Sequence, residues 1–356
     1  MSIQRWEVKV AITNISRKGW WMASYGEPKK YSKGAVTRAG TALAKGEGSA
    51  EDRDVVNNWR NSHAYILNTF QANLRDYMRR HDGMGITFAQ RLKRLNTILD
   101  KLSTGRANDL ATMHDLAGCR LIFDSIEEIQ EFRESFHTTR AKHVRDDQDR
   151  YDYIARPKAT GYRGIHEVYR YASQSVGGQS YSGLKIEIQY RTRTQHAWAT
   201  AVEISDLLDG ARIKFDQNAN PRRERLFVLA SEYLARTREN RTGACPDIDD
   251  ANLCHEMQEL ERELGVIHTL DMARRSATII PQKKNIVLHF RDGELLAKGF
   301  SSGPKAMAYR DQVEKLHPAD DVVYVTAQST GAIADAFRNY FRDAQDFVES
   351  IRPALI

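Results

Sequence analysis

Apolar residues recur at intervals of three and four positions along a stretch in the N-terminal part of the chain. The stretch runs from Asp54 to His81, with apolar residues at Val55, Trp59, Ile66, Leu67, Phe70, Leu74 and Met78. This period places the apolar side chains on one face of an α-helix. Gly83 and Gly85 favour a turn directly after it. The sequence therefore predicts one long amphipathic helix over residues 54–81.

From residue 86 to residue 210 the pattern changes to short apolar runs between polar segments. Strands are predicted over residues 119–123, 166–172 and 184–191, and helices over residues 96–102, 125–136 and 194–208. Ser125 followed by Glu128 is a capping-box pattern at the start of a helix. Because strands and helices do not alternate as regular βαβ units, the predicted fold is α+β, with a mixed, mostly antiparallel sheet flanked by helices.

The C-terminal third has a different pattern again. Helices are predicted over residues 221–237, 247–277, 304–316 and 331–351, and strands over residues 285–290, 294–300 and 322–325. Pro281 separates the charged helices from the later strands. We therefore divide the chain into a basic N-terminal arm (1–50), a central α+β domain (51–215), a helical linker (216–278) and a small C-terminal α/β domain (279–356).

The composition narrows the class of protein. No apolar run in the 356 residues approaches the roughly 18 that cross a bilayer, and the start lacks the apolar core of a signal peptide. These features predict a cytoplasmic protein without a membrane partner. The three cysteines, Cys119, Cys245 and Cys254, are too few for a disulfide framework. They also lack the spacing of a zinc site.

The net charge of +6 is concentrated in the N-terminal arm. Residues 1–45 contain nine Lys and Arg against two Glu, a net charge of +7. Such an arm fits contact with a phosphate backbone, and Trp20, Trp21, Tyr25 and Tyr31 fit stacking on bases. A solvated arm, with these aromatic residues anchoring it on the following domain, fits the same sequence equally well.

The predicted strand over residues 184–191 alternates strictly. Its apolar face carries Leu184, Ile186, Ile188 and Tyr190, and its polar face carries Lys185, Glu187, Gln189 and Arg191. A solvent-facing sheet surface has this pattern. A carboxylate, an amide and two cations on one face are also what a metal–nucleotide site requires.

Three other stretches carry charged residues in suggestive places. The segment Tyr151–His166 is a predicted loop that presents Lys158, Tyr162, Arg163 and His166, and a cation beside an aromatic ring can hold a nucleotide. Asp115 comes just before a predicted strand that carries Arg120. A carboxylate there can hold Mg²⁺, which needs only one or two protein carboxylates besides phosphate oxygens. The third stretch carries Arg91, Lys93 and Lys101, a pattern also typical of a solvated basic surface.

Together these four stretches resemble the synthetase domain of the RelA/SpoT family, in the same order and with close spacing. The family segments R-x-K-x7-K, D-[IL]-A-G-[VI]-R, D-Y-I-x-x-P-K-x-x-G-Y-R-S-L-H and [VI]-E-[VI]-Q-[IL]-R-T correspond to residues 91–101, 115–120, 152–166 and 186–192, with Cys119 and Tyr190 outside the bracketed choices. The resemblance covers residues 55–210. It implies a nucleotidyltransferase-like fold and an ATP-dependent pyrophosphokinase, an enzyme that moves the β,γ-diphosphate of ATP to an acceptor hydroxyl.

The resemblance also implies a role for each matched residue. Asp115 and Glu187 would hold Mg²⁺ on the ATP phosphates. Arg91 and Arg120 would bracket the adenine, while Lys93 and Lys101 would bind the triphosphate. Tyr162 would stack on the acceptor base, and Lys158, His166 and Arg191 would complete the acceptor site. Gln189 would help to place the acceptor hydroxyl.

Two departures from the family pattern affect the acceptor side. Gly164-Ile165 replaces the usual Ser-Leu of the loop, and Glu203-Ile204 replaces a Glu-His pair in the following helix. The dipeptides His81-Asp82 and His114-Asp115 do not make the hydrolase domain of the family, which needs further ligands and a long helical region. We therefore expect synthesis without hydrolysis.

The C-terminal part resembles the pseudo-zinc-finger domain of CapRel-type fused toxin–antitoxins. In that family a Y-x-x-Y segment folds back over the ATP site until a phage capsid protein relieves the block. Tyr340 matches the second tyrosine of the segment, and Phe337 replaces the first with a ring that still stacks but has no hydroxyl to donate. Core residues of an amphipathic helix fit the same pattern. This resemblance favours a toxin that modifies the 3′ end of tRNA in defence against phage. A (p)ppGpp synthetase acting on GDP or GTP and an inactive nucleotide or RNA sensor are the alternatives.

Overall fold

A computed structural model of the chain describes residues 28–81, 83–93, 95–138, 143–213, 220–276, 283, 285–291, 294–317, 321–326 and 344–356. The first part forms α1 (Lys33–Ala44), α2 (Ala50–Arg80), β1 (Thr87–Leu92), α3 (Leu95–Ser103), β2 (Ala117–Phe123), α4 (Ile126–His137), β3 (Val144–Asp152), β4 (Ile165–Arg170), α5 (Val176–Gln179), β5 (Lys185–Thr192) and α6 (Arg193–Ile213). The second part forms α7 (Pro221–Glu239), α8 (Asp250–Leu264), α9 (Val266–Ser276), β6 (Asn285–Arg291), β7 (Glu294–Phe300), α10 (Gly303–Leu316) and β8 (Asp321–Thr326). A helix over residues 344–351 ends the chain with a 3₁₀ turn at Arg352–Leu355.

The long N-terminal helix was predicted correctly, and its start is fixed by a capping box. The Ser49 side chain accepts a hydrogen bond from the Asp52 backbone N–H, and the Asp52 carboxylate accepts one from the Ser49 N–H. These bonds satisfy backbone donors that have no partner within the helix. Part of the predicted arm is also helical. Helix α1 packs closely on the segment that precedes β2, because a Cβ added at Gly40 would lie 2.9 Å from Leu110 Cβ.

The central sheet has the strand order β1-β2-β5-β4-β3. Strands β2 and β5 run parallel, and the other neighbouring pairs run antiparallel. This confirms the predicted mixed, mostly antiparallel α+β sheet flanked by helices. Strand β3 was not predicted from the sequence. It is an edge strand, and its residues Val144–Asp152 are almost all polar, so no apolar run marks it.

A second hydrophobic cluster lies among helices α6, α7, α8 and α9 and the end of the chain. Phe347 and Ile351 are fully buried in it, and the Phe347 ring stacks on Phe227 of α7 at a centroid distance of 5.9 Å. The Gln258 side chain of α8 donates to the Ala354 carbonyl oxygen at 3.1 Å. The last residues of the chain are therefore part of the core beside α7.

The prediction of a single helix over residues 247–277 is wrong. The chain forms two helices there, because Gly265 caps the end of α8 with a φ of +60° and α9 begins at the next residue. A glycine adopts this left-handed conformation without the steric cost that other residues meet. The second sheet has the order β7-β6-β8 with both pairs antiparallel. No helix in the described parts of the chain is long and apolar enough to span a membrane.

Candidate active site

Four of the predicted motifs meet on one face of the central sheet. In the parallel pairing of β2 and β5, Gly118 lies opposite Glu187 and Arg120 lies opposite Gln189. Strand β4 pairs with the other side of β5 and places His166 opposite Gln189. Since side chains alternate along a strand, one face of these central strands presents the polar groups. The sheet register therefore unites residues that are far apart in the sequence.

Asp115 lies at the start of β2 and forms two ion pairs. One oxygen of its carboxylate accepts a hydrogen bond from Lys101 Nζ at 2.5 Å and another from Lys93 Nζ. Burial alone would raise the pKa of Asp115, but the hydrogen bonds from the two lysines outweigh it and hold that pKa below its ordinary value. Burial lowers the pKa of Lys93, whose side chain is only 4% exposed. A bound triphosphate would compete with Asp115 for the same two ammonium groups.

Glu187 lies at the centre of the face and is almost fully buried. Its carboxylate accepts hydrogen bonds from His166 Nδ1 at 2.9 Å and from Gln189 Nε2 at 2.6 Å. Burial would raise the pKa of Glu187, but the bond from His166 and its charge, with the bond from Gln189, outweigh burial and hold the pKa far below its ordinary value. Glu187 is therefore ionised at neutral pH.

The Glu187 carboxylate is the middle of a continuous chain of hydrogen bonds. The other ring nitrogen of His166, Nε2, forms a hydrogen bond with the Tyr162 hydroxyl at 2.5 Å. Arg191 in turn donates to the Tyr162 oxygen from Nη2 at 3.0 Å. Among the described residues, Nη1 of Arg191 has no hydrogen-bond partner, although the side chain is buried. It is a donor suited to an anionic ligand.

On its other side the chain of hydrogen bonds reaches β2. The Arg120 Nε donates to Gln189 Oε1 at 3.2 Å, which fixes the orientation of the amide. Burial, reinforced by the neighbouring charge of Arg191, lowers the pKa of Arg120 to about 10, still far above neutral pH. The result is an ordered line of groups from Arg191 to Arg120, with one carboxylate in the middle.

A cleft of about 160 Å³ opens on this face between β1, β2, β5 and α6. Its walls are formed by Ala89, Gln90, Arg91, Asp115, Gly118, Cys119, Arg120, Glu187, Gln189 and Glu203. Five residues predicted for catalysis or ATP binding therefore lie on one cleft, and Lys93 and Lys101 join it through Asp115. Glu203 is an addition, because the sequence showed it only as half of an incomplete Glu-His pair. Its position on α6, across from β2, is a tertiary contact that no local pattern reveals.

The predicted acceptor residues lie beside this cleft. Lys158 is exposed, with Nζ 4.2 Å from the centre of the Tyr153 ring and 5.2 Å from that of Tyr162. The Arg191 guanidinium lies 5.0 Å from the Tyr162 ring centre. Burial raises the pKa of Tyr162, so its hydroxyl stays protonated. Lys158 and Tyr162, which the sequence places on one loop, thus lie together in space, with Arg191 of β5 beside them.

The two carboxylates on the cleft fit a magnesium ion. Mg²⁺ uses one or two protein carboxylates and takes its other ligands from phosphate oxygens and water. Asp115 and Glu187 would supply that minimal set. No group of three or more His, Cys, Asp and Glu that could hold a metal alone occurs among the described residues. These residues therefore suit an ion that arrives with a nucleotide.

The predicted autoinhibitory residues Phe337 and Tyr340 lie outside the described residues, as does the arm before residue 28.

The chain is similar to known proteins over part of its length. Residues 90–205 match a family described as "Region found in RelA / SpoT proteins". Over 112 residues the chain is 34% identical to the GTP pyrophosphokinase YjbM of Bacillus subtilis (strain 168). These aligned residues cover 31% of this chain and 51% of that protein. The match thus spans about half the length of this curated relative.

Two solved structures match the chain at lower identity. One is the small alarmone synthetase 1 of Bacillus subtilis bound to pppGpp, with 24% identity, a TM-score of 0.41, and coverage of 56% of this chain and 93% of that one. The other is a GTP pyrophosphokinase family protein from Streptococcus pneumoniae, with 18% identity, a TM-score of 0.42, and coverage of 59% and 98%. Residues 90–205 therefore match the region shared by RelA and SpoT proteins, and the match supports a synthetase-type domain in this part of the chain.

Proposed function

We propose that this chain is an ATP-dependent pyrophosphokinase that transfers the β,γ-diphosphate of ATP to an acceptor hydroxyl. The observation that carries the proposal is the cleft on which Asp115 and Glu187 lie together, with Arg91 and Arg120 beside them. In the reaction the acceptor oxygen bonds to the β-phosphorus and loses its proton. The bond between that phosphorus and the oxygen bridging to the α-phosphate breaks, and AMP leaves with the bridging oxygen.

The residues of the cleft suit this chemistry because phosphoryl transfer depends on alignment and charge neutralisation more than on covalent help. Lys93 and Lys101 lie on the Asp115 side and would bind the triphosphate. Asp115 and Glu187 would hold Mg²⁺, which when bound neutralises the phosphate oxygens. Gln189, held by Arg120 and bonded to Glu187, would place the acceptor hydroxyl.

For the acceptor, a guanosine nucleotide is supported by the similarity to a GTP pyrophosphokinase. The 3′ end of tRNA, which the sequence analysis favoured, is supported by the nine Lys and Arg in residues 1–45. A sensor that only binds nucleotide has no need for two carboxylates on one cleft with so many cations. Because the sequence similarity supports the guanosine nucleotide, we place it first among the acceptors and the tRNA end second.

An acceptor panel tests the proposal. Full-length protein with Mg²⁺ and γ-labelled ATP would be offered GDP, GTP, ADP, or tRNA with a free 3′ end. Label on GDP or GTP with release of AMP would establish an alarmone synthetase, and label on tRNA would establish a translation-blocking toxin. Nucleotide-dependent thermal shifts without AMP release from any mixture would show a sensor and refute the proposed transfer.

We further propose that the C-terminal part restrains the activity in cis and that a phage capsid protein relieves the restraint. The resemblance of Phe337 and Tyr340 to the Y-x-x-Y segment supports this. Removing the whole C-terminal part is a poor test, because Phe347 and Ile351 are buried in the core beside α7. A point substitution leaves that packing in place.

Replacing Tyr340 by alanine is therefore expected to raise the transfer rate. The expected increase is about tenfold, which corresponds to the loss of about 1.4 kcal/mol of restraining contact. Initial rates with the best acceptor of the panel would measure it. Ile356→Ala is the matched control. Ile356, the last residue of the same C-terminal part, is 92% exposed, so its replacement should leave the rate unchanged. Equal rates for Tyr340→Ala and wild type would contradict the restraint.

A further inference from the structure

The loop over residues 157–164, which carries Lys158 and Tyr162 and is called here the acceptor loop, is fastened to helix α7. The Ser231 hydroxyl of α7 donates to the Gly161 carbonyl oxygen at 2.6 Å. Gly161 has a φ of +83°, and a Cβ added there would lie 3.0 Å from Val228 Cα. The loop backbone therefore lies directly against the helix, and only glycine allows this approach.

A buried ion pair makes the second link between the acceptor loop and α7. Arg163, which is 3% exposed, pairs with the Glu239 carboxylate at the C-terminal end of the helix. Burial lowers the pKa of Arg163 to about 10, so the guanidinium remains charged. Removing one member of a buried pair leaves the other charge uncompensated in a low-dielectric interior, which is strongly unfavourable. The position of the acceptor loop, and of Tyr162 within it, thus depends on a residue far along the chain.

The same Glu239 carboxylate also binds the end of strand β5. It accepts hydrogen bonds from the Thr192 hydroxyl and from Gln195 Nε2 at 3.1 Å. Thr192 ends the strand that carries Glu187, Gln189 and Arg191. One carboxylate therefore joins the acceptor loop to the strand with the central catalytic groups.

From these contacts we infer that Glu239 is a positioning residue for the acceptor side of the site. It lies outside residues 90–205, the segment that matches the RelA/SpoT family. By holding Arg163 and Thr192 at once, it fixes the acceptor loop relative to β5. That keeps the Tyr162 hydroxyl in reach of His166 and Arg191. The inference rests on the proposed function, since the loop is assigned to the acceptor.

A first experiment tests the positioning without any enzyme assay. In Glu239→Gln, trypsin cleavage of the exposed bond after Lys158 is expected to accelerate about tenfold under native conditions. This factor corresponds to about 1.4 kcal/mol of lost local stability. Glu256→Gln is the matched control, because Glu256 also accepts two bonds at 2.7 Å from a helix α7 arginine, Arg225, but lies away from the loop. Equal cleavage rates in the two variants would overturn the inference.

A second experiment reads the consequence for binding. In Glu239→Gln the KM for the acceptor is expected to rise about tenfold while the KM for ATP stays within about twofold, and Glu239→Asp should recover part of the loss. A general weakening of the fold would raise both KM values, and that result would contradict a positioning role. Ser231→Ala, which removes only the hydroxyl, provides a milder variant with the same expected selectivity if Glu239→Gln does not fold.

The two experiments separate the possible failures. Wild-type protein that transfers no label to any acceptor, with faster cleavage in Glu239→Gln, would refute the proposed function and keep the structural link. Wild-type protein that transfers label, with the acceptor KM unchanged in Glu239→Gln and Ser231→Ala, would refute the positioning role alone.

Discussion

Replacing Glu187 by glutamine is expected to lower the rate of diphosphate transfer by about 10²–10³-fold, the usual cost of losing one preorganised charged partner. Glutamine has nearly the same shape, so the effect is one of charge. Glu187 is held ionised by His166 and Gln189, and the amide supplies no negative charge for Mg²⁺ and donates where the carboxylate accepts. The initial rate of label transfer from ATP is the measurement.

The matched control for this variant is Glu256→Gln. Glu256 also accepts two short hydrogen bonds, but from Arg225 and on helices away from the cleft. It should transfer label at close to the wild-type rate. A Glu187→Gln protein that folds and retains more than a tenth of the wild-type rate would show that Glu187 does not act as a charged group in the reaction.

The second large effect concerns stability and comes from the opposite face of the same sheet. Glu167 is buried there and accepts hydrogen bonds from Arg133, His137, Arg145, Tyr169 and Tyr190 at 2.8–3.0 Å. Burial would raise the pKa of Glu167, but the bond from His137 and the charge of Arg133 outweigh it and lower the pKa to about 2, from an ordinary value of 4.5. A lowering of this size corresponds to about 3 kcal/mol of folding free energy.

The sign of this effect fixes its pH dependence. A carboxylate with a lowered pKa in the folded state stabilises the protein above its unfolded pKa of about 4.5, and the stabilisation is lost as the pH falls towards 2. Glu167→Gln should therefore reduce the free energy of unfolding by about 3 kcal/mol at pH 7 and by progressively less below pH 4.5. Urea unfolding of both proteins at pH 7, 5 and 3 measures the difference.

Glu127→Gln is the control for this experiment. Glu127 is 71% exposed and pairs with Arg241 at 3.5 Å on the surface, so its loss should leave the stability near that of the wild type. A Glu167→Gln difference that stays the same at all three pH values would mean that packing, and not the charge of Glu167, accounts for the loss.

Much of the site was predictable because its parts are local in sequence. The strict alternation over residues 184–191 predicted both strand β5 and the shared face of Glu187, Gln189 and Arg191. The apolar period over residues 54–81 predicted α2 for the same reason. In each case the repeat of the side-chain pattern matches the geometry of one element, so a single sequence is sufficient.

Other features depended on contacts that no local pattern encodes. Strand β3 is polar and lies at the sheet edge, where pairing with β4 determines its conformation. The capping box predicted at Ser125 formed only in part, because Glu128 bonds to the Asp124 N–H instead of returning to Ser125. Glu203 and Glu239 reach the site from helices whose positions follow from tertiary packing. Such residues become visible only when the elements are assembled.

The most direct test of the account compares wild-type protein with Asp115→Asn and Asp146→Asn in a single transfer assay. Both aspartates pair with two cations. Asp115 pairs with Lys93 and Lys101 on the cleft. Asp146 pairs with Arg170 at 2.7 Å and with Lys185 at 2.9 Å, outside the cleft. The assay follows γ-labelled ATP and counts AMP released for each label gained by the acceptor. We predict one AMP per label, a loss of about 10²-fold or more in Asp115→Asn, and near wild-type transfer in Asp146→Asn. Release of ADP in place of AMP, or equal rates for the two variants, would contradict the account.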